Sequence, residues 1–328
     1  MYKSLNSVID LIDYANAWQV PIEKNTVVIN GFWRSGTTWL QEIVTKMLEA
    51  KAIFEPFQAR AGYLHQCLPE LGVKRKDYEY LAAFMPCVTE NINQNTKLYV
   101  IIEQALKGQL THPKVLLSKG NRQRLERCLS PRVVTKFTRA ALLIKAMQNT
   151  FNVPVIHLIR DPRAVISSMI KLNPNWGEKA FYNFSLYDHC LEVEDDRKQY
   201  FLDWKNYIEE IEKTNDFGRL AGYFCLTERY LADSLVIPSN RFTTVRYENL
   251  VTLGYKHLVE TLEVINFQAS VDCSKYFNTP SSRDYRDPKN LISQKERIFN
   301  WKNQLSEYES AIIKEVTVAL GMENYLWN

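Results

Sequence analysis

The sequence has no apolar run of membrane-spanning length, no C-x-x-C pair, no internal repeat and no low-complexity tract. The first absence leaves no candidate for a helical span, which needs about 20 consecutive apolar residues. The second argues against a zinc site or a dense disulfide framework. Six cysteines (Cys67, Cys87, Cys128, Cys190, Cys225 and Cys273) lie far apart, a usage that fits a reducing compartment. Charge of one sign is scarce as well. The 41 Lys and Arg against 37 Asp and Glu leave +4, enough for a local anion pocket but not for a nucleic-acid coat. The opening MYKSLNSVIDLIDYANAW carries Asp10 and Asp13 within its apolar stretch, unlike a signal peptide. It reads as an amphipathic helix, and the expected location is cytoplasmic. The sequon Asn183-Phe184-Ser185 is too easily met by chance to imply secretion.

At 328 residues the chain can bury a substantial core, as one large α/β domain or two small ones. Its hydrophobic content of 46% and charged content of 24% are those of a soluble globular protein. Aromatics reach 12%, more than packing alone usually requires, which leaves some for a substrate cleft.

The chain is organised around residues 26–50, TVVINGFWRSGTTWLQEIVTKMLEA. Thr26 to Ile29 is short, apolar and β-branched, as in a parallel strand covered on both faces. From Thr37 the apolar residues Leu40, Ile43, Val44, Met47 and Leu48 form one helical face. Between them lies a small loop with Gly31 and Gly36. Such a loop presents unpaired backbone N–H groups at the positive end of a helix, a ready site for phosphate. The spacing Gly31-x-x-x-x-Gly36 is that of a P-loop, yet Thr37 stands where a nucleotide triphosphatase needs lysine. The loop's one cation is Arg34, whose planar fork suits a trigonal anion. By itself the motif leaves two readings even: an anion site, or a plain βα turn with a Ser/Thr cap.

Further along, 51–109 has few strand signals and reads as loops and short helices over the mouth of a sheet. Residues 132–137 read as a strand, 139–151 as a helix with Leu142, Leu143 and Met147 inward, and 153–159 as another buried strand. Arg160 follows, then Asp161 as an acidic N-cap with Pro162 at the first helical position. From Ser185 to about Val236 the chain reads as helical, its charge run a solvated helix face. Residues 241–247 read as a strand and 275–302 as a polar, basic loop. Ser306-x-x-Glu309 is a capping box that opens a last helix with Tyr308, Ile312, Val316 and Leu320 on one face. Alternating strands and helices imply a single α/β domain over 1–328, a parallel sheet flanked by helices. Ligands of such a sheet bind beyond the carboxyl ends of its strands. Two of those ends change polarity sharply: the 31–38 loop, and Arg160-Asp161-Pro162-Arg163 running to Ser167-Ser168. Arg160 with the Ser168 hydroxyl would grip a second phosphate. The alternatives are a structural Arg160–Asp161 ion pair or a degenerate magnesium-binding aspartate.

Read together, Gly-x-x-Arg-Ser-Gly-Thr-Thr after the first strand, Arg160 to Ser168 after a middle strand and Val245-Arg246-Tyr247-Glu248-Asn249-Leu250 late in the chain resemble the PAPS-dependent sulfotransferases. Trp301-Lys302-Asn303-Gln304-Leu305-Ser306 is similar to that family's closing motif. Arginine at position 34 is closer to the carbohydrate (Golgi-type) branch than to the cytosolic one. The resemblance implies a P-loop-type domain in which the 26–50 unit holds the 5′-phosphosulfate. Arg34 would stabilise the leaving phosphate, and Ser35, Gly36, Thr37 and Thr38 would bind the 5′-phosphate. Arg160 and Ser168 would bind the 3′-phosphate, with 51–110 and 172–236 on the acceptor side. It further implies PAPS as donor, PAP as product, and sulfuryl transfer to a hydroxyl, a glycan or glycolipid alcohol by analogy. Neither site calls for a metal. Glu55 in Phe54-Glu55-Pro56 matches the glutamate that such enzymes use as base, with His65 the weaker candidate. Lys136 would face the sulfuryl group or the acceptor, or else form a surface pair with Arg139. Arg297, with Lys295, would close over the 3′-phosphate. The rival readings are a P-loop kinase or triphosphatase, disfavoured by Thr37, and a catalytically silent nucleotide-binding relative.

Overall fold

The structure is a computed structural model, and it describes residues 21–58, 61–73, 84–116, 130–172, 184–235, 240–277, 279, 281 and 293–327. Strand β1 is Thr26–Asn30, β2 Lys51–Phe54, β3 Val133–Phe137, β4 Val155–Ile159 and β5 Phe242–Arg246. They form one sheet in the order β2-β3-β1-β4-β5, and every neighbouring pair is parallel. Parallel neighbours need crossover connections, and helices supply them. Because side chains alternate along a strand, the sheet sends residues to two cores. Val27 and Ile29 point to one face, where they meet Leu40, Ile43, Val44 and Met47 of α1 (Thr37–Met47). Val28 points to the other, toward α2 (Lys97–Leu106), α3 (Ile144–Phe151) and α4 (Pro162–Leu172). That second face also holds α5 (Asp216–Ser234), which packs against α8 (Glu307–Ala319). The first is completed by α6 (Tyr247–Leu253) and α7 (Tyr255–Val264). The expected α/β architecture, a P-loop-type sheet covered on both faces, is what forms.

Several expectations need correction. Residues 51–54 are a strand, not part of a loop region. The run Lys-Ala-Ile-Phe is too short to show a period of two, and it becomes a strand only because β3 is beside it to pair with. Residues 139–151 turn helical only from Ala141, first as a 3₁₀ turn, and the backbone N–H groups of Thr138 and Arg139 go to Glu55. In α8 the packed face is Ile313, Val316, Thr317 and Leu320, while Tyr308 is 70% exposed. The Ser306–Glu309 box does open that helix, and Ser293–Glu296 forms a second, unforeseen one before Gln294–Phe299. The N-terminal helix, Asn183, Cys128 and part of the expected basic loop at 275–302 lie outside the described residues, as does the Lys295 side chain, while 294–302 of that loop is helical instead.

The charge run at 191–213 is not a solvated face throughout. It breaks into a π-helical turn (Asp188–Glu192) and two short helices, and the Arg197 side chain is fully buried. Its Nε donates to Asp195 Oδ1 at 2.7 Å and its Nη1 to the His189 carbonyl at 2.9 Å. Nη2 donates to Asp195 Oδ2 at 2.9 Å and to the Met85 carbonyl. Asp195 in turn accepts the Cys87 N–H at 3.0 Å. The pair thus rivets 84–87 to the π-helical turn, and both charges are satisfied where water cannot reach them. Removing one partner of a buried pair strands the other. Arg197→Ala is therefore expected to cost about 3–5 kcal/mol, read as a shift of the urea midpoint at unchanged slope. A shift equivalent to under about 1 kcal/mol would mean that the pair is solvated.

Candidate active site

All five strands run the same way, so all five carboxyl ends lie on one edge, and a polar or aromatic residue leaves each. Glu55 follows β2, Thr138 follows β3, the 31–36 loop follows β1, Arg160 follows β4 and Tyr247 follows β5. The β1–α1 loop sits close against its neighbours. A Cβ on Gly31, at φ +151°, would lie 2.5 Å from the Leu158 carbonyl oxygen, and one on Gly36, at φ +100°, 2.8 Å from the Tyr247 ring. Glycine is the residue that fits both places. Gly36 is also the N-cap of α1, and no side chain caps that helix. The Ser/Thr-capped turn is therefore not what forms. Ser35 is fully buried, and its hydroxyl has no hydrogen-bond partner among the described residues.

Arg34, at φ +68°, donates from Nε to Ser168 Oγ on α4 at 3.0 Å. Arg160 donates from Nη1 to the Arg34 carbonyl at 3.1 Å and from Nη2 to the Arg297 carbonyl at 3.1 Å. Its guanidinium lies 4.2 Å over the Tyr247 ring, and its buried Nε has no partner among the described residues. The Arg297 guanidinium stacks 4.9 Å over Trp39. The fold thus brings together Arg34, Ser168, Arg160 and Arg297, which lie as far apart as 263 positions in sequence. Tyr247 is the member that the sequence did not single out. It stood within the Val245–Leu250 motif, without a role of its own.

A second cluster lies at the β2 and β3 ends. Lys136 Nζ donates to Thr38 Oγ1 at 3.3 Å, lies 3.9 Å from Glu55 Oε2 and sits 3.9 Å over the Phe54 ring. A partnership with Thr38 and Glu55, rather than a surface pair with Arg139, is what forms. Glu55 is 3% exposed, at φ +44°. Its Oε2 accepts the Thr138 N–H at 2.8 Å and the Thr138 hydroxyl, while Oε1 accepts only the Arg139 N–H, at 3.2 Å. Thr38 belongs to the loop unit, so the two clusters share one wall. His65 lies on a separate short helix, Tyr63–Cys67, and is partly exposed.

Asp161 pairs with Arg163, not with Arg160. Its Oδ1 accepts the Arg163 N–H at 2.8 Å, the N-cap bond expected of it, and Oδ2 accepts Arg163 Nη2 at 2.6 Å and the Trp327 N–H at 2.9 Å. Both oxygens are committed to N–H donors. The Asp161 N–H goes to buried Glu248 Oε1 at 3.0 Å, so Glu248 orders the strand end, and burial raises its carboxyl above the usual range. Among the described residues no group of three or more His, Cys, Asp or Glu is placed to hold a metal ion.

The site is thus rich in donors and cations. Buried N–H and O–H groups normally find partners, yet among the described residues Ser35 Oγ, Arg160 Nε and the indole nitrogens of Trp33 and Trp39 have none. Two of these four orphans, Ser35 and Trp33, lie in the loop, and Trp39 lies in the first turn of the uncapped helix. Such a site can stabilise a multiply charged anion and hold a second reactant next to a carboxylate and an ammonium group.

The sulfotransferase domain family matches the chain over residues 24–320. No curated protein matches it. Among solved structures the chain is similar to the sulfotransferase domain from the curacin biosynthetic pathway, at 14% identity over 90% of this chain and 96% of that one, TM-score 0.44. It is also similar to the sulfotransferase domain of the Synechococcus PCC 7002 olefin synthase, at 18% identity over 95% and 98%, TM-score 0.46. A third is retinol dehydratase in a complex with retinol and PAP, at 14% identity over 95% and 85%, TM-score 0.39. These likenesses are distant, and the assignment rests on the family match. That match takes in all five strands, the 31–38 loop and the Arg160–Ser168 turn, and the chain belongs to the sulfotransferase domain family.

Proposed function

We propose that this protein transfers a sulfuryl group from PAPS to the hydroxyl of an acceptor, releasing PAP. The observation that carries the reading is the set of unpartnered buried donors around the uncapped start of α1, set beside Arg34 and Arg160. A donor with phosphate at both the 5′ and 3′ positions supplies the charge that these groups lack, so the residues fit it. The donor carries the sulfuryl group on an activated phosphate, and this chain holds, orients and stabilises.

The backbone N–H groups at 35–38, with the Thr37 and Thr38 hydroxyls and Gly36 as the close approach, hold the 5′-phosphate. Arg160, Ser168 and Arg297 hold the 3′-phosphate. Arg34, between the two, meets the charge that develops on the leaving phosphate oxygen. Lys136 faces the transferred group, which is planar and electron-poor with anionic oxygens as it moves. Glu55 accepts the acceptor's proton, and Oε1 is the oxygen for that task, because Oε2 is committed to Thr138 and lies near Lys136. The rate then comes from placement and from preorganised charge. The aromatic segments within 51–110 and 172–236 line the acceptor side, and the arginine in the loop suggests a glycan or glycolipid alcohol.

Adenosine 3′,5′-bisphosphate at about 100 times its Kd should stabilise the fold by about 2.7 kcal/mol, visible as a raised melting temperature. ATP with Mg²⁺ at the same concentration should raise it less. A larger rise with ATP–Mg²⁺ would turn the assignment toward a kinase or triphosphatase. Arg34→Ala should lower sulfuryl transfer about 10²–10³-fold with the melting temperature nearly unchanged. Glu55→Gln should lower turnover about 10²–10⁴-fold while bisphosphate affinity stays within a few-fold. Full turnover in Glu55→Gln would remove the base assignment. A wild-type protein that binds the bisphosphate but turns over no donor with phenols, glycans or glycolipids would be a silent relative.

A further inference from the structure

Directly beneath the proposed site runs a chain of buried polar side chains that the reaction does not use. Asn30 is the last residue of β1, fully buried, and in register with Phe137 of β3 on one side and His157 of β4 on the other. Its amide nitrogen donates to the Phe137 carbonyl at 2.6 Å, and its amide oxygen lies 2.7 Å from His157 Nδ1. The other imidazole nitrogen, Nε2, lies 2.7 Å from Oε2 of Glu228 on α5. That oxygen also accepts the Tyr325 hydroxyl at 3.3 Å. His157 and Glu228 are both within 2% of full burial.

The chemistry of the donors fixes the orientation of the chain. A carbonyl accepts and never donates, so the Asn30 nitrogen faces Phe137 and its oxygen faces His157. Nδ1 must then carry a proton. Nε2 and the Glu228 carboxyl hold one further proton between them, and wherever it resides the pair is neutral and Nδ1–H is kept. A buried network satisfied in this way is rigid, because breaking any link strands a polar group in low dielectric.

The rigidity falls where the site needs it. Asn30 precedes Gly31 and the anion loop. Phe137 precedes Thr138 and Arg139, whose N–H groups hold Glu55. His157 lies three residues before Arg160. One amide therefore pins the exits of three strands. The crevice between β1 and β4 is also where connections diverge, β1 leading across the sheet to β2 and β4 leading to β5 on the other side. Ligands of such sheets bind at that divergence.

We propose that Asn30, oriented by His157 and Glu228, is a positioning residue that sets the spacing between the Arg34 loop and Arg160, and with it the separation of the two phosphates that the site accepts. The inference rests on the two-phosphate reading above. Its test compares adenosine 5′-monophosphate, which reaches the loop alone, with adenosine 3′,5′-bisphosphate, which spans both exits, by calorimetric titration. In the wild type the second phosphate should tighten binding about 10- to 100-fold. In Asn30→Asp, which can still accept from His157 but cannot donate to Phe137, that gain should fall about tenfold while monophosphate affinity stays within about threefold. The double variant His157→Leu/Glu228→Leu removes both members of the buried pair together, so neither is left facing an absent partner. It removes the Asn30 tie to β4 while the bond to the Phe137 carbonyl remains, and should lose the gain to the same extent. Either folded variant suffices if the other fails to fold. A wild-type gain in both, or a parallel fall in affinity for the two nucleotides, would overturn the spacing role. A wild-type protein with no gain from the 3′-phosphate would instead sink the two-phosphate reading, and this inference with it.

Discussion

The site depends on how closely the β1–α1 loop lies against β4 and Tyr247. Two glycines permit that approach, since a single added carbon would meet the Leu158 carbonyl at one and the Tyr247 ring at the other. With the loop held there, Arg34 reaches Ser168 across the crevice and Arg160 reaches the Arg34 carbonyl. The same approach brings α1 to the edge with its first turn uncapped. A helix start without a capping side chain presents its N–H groups to whatever anion arrives. One steric condition thus places the arginines, the serine and the helix start in a single crevice.

The carboxylates near this edge are used differently from the cations. Asp161, Glu248 and Glu55 each accept backbone N–H groups at strand ends, which keeps their charge local and fixes the backbone. Arg34, Arg160 and Arg297 bond to a hydroxyl or carbonyls or stack on aromatic rings, whereas Lys136 lies 3.9 Å from Glu55 and Arg163 pairs with Asp161. The buried cysteines stand apart from this chemistry. Burial pushes the Cys87, Cys190 and Cys225 thiols up to about 12, so they are packed as small apolar groups rather than as nucleophiles.

Much of the fold was legible along the chain because its signals are local. Strand β1 followed by an amphipathic helix, the Asp161-Pro162 helix start and the Ser306 capping box each declare themselves within one short continuous segment. The motif pair at 31–38 and 160–168 was legible too, since spacing and residue type carry it. Other features needed partners distant in sequence. Strand β2 exists because β3 offers it a ladder. Arg197 reads as one more charge in a charged run until Asp195, His189 and Met85 enclose it.

The sequence by itself determined a parallel α/β sheet, a glycine loop adapted to an anion without the P-loop lysine, and a second basic turn after a middle strand. It did so because turn chemistry, hydrophobic period and motif spacing are properties of short segments. Only the tertiary structure decided that Arg34 bonds Ser168, that Lys136 stands between Thr38 and Glu55, and that Asp161 serves Arg163 rather than Arg160. It also decided that Asn30, at a strand end, is held by a histidine 127 positions away. The reason is physical. A hydrogen bond is specified by the position of two atoms, and for residues on different strands those positions exist only once the sheet has formed.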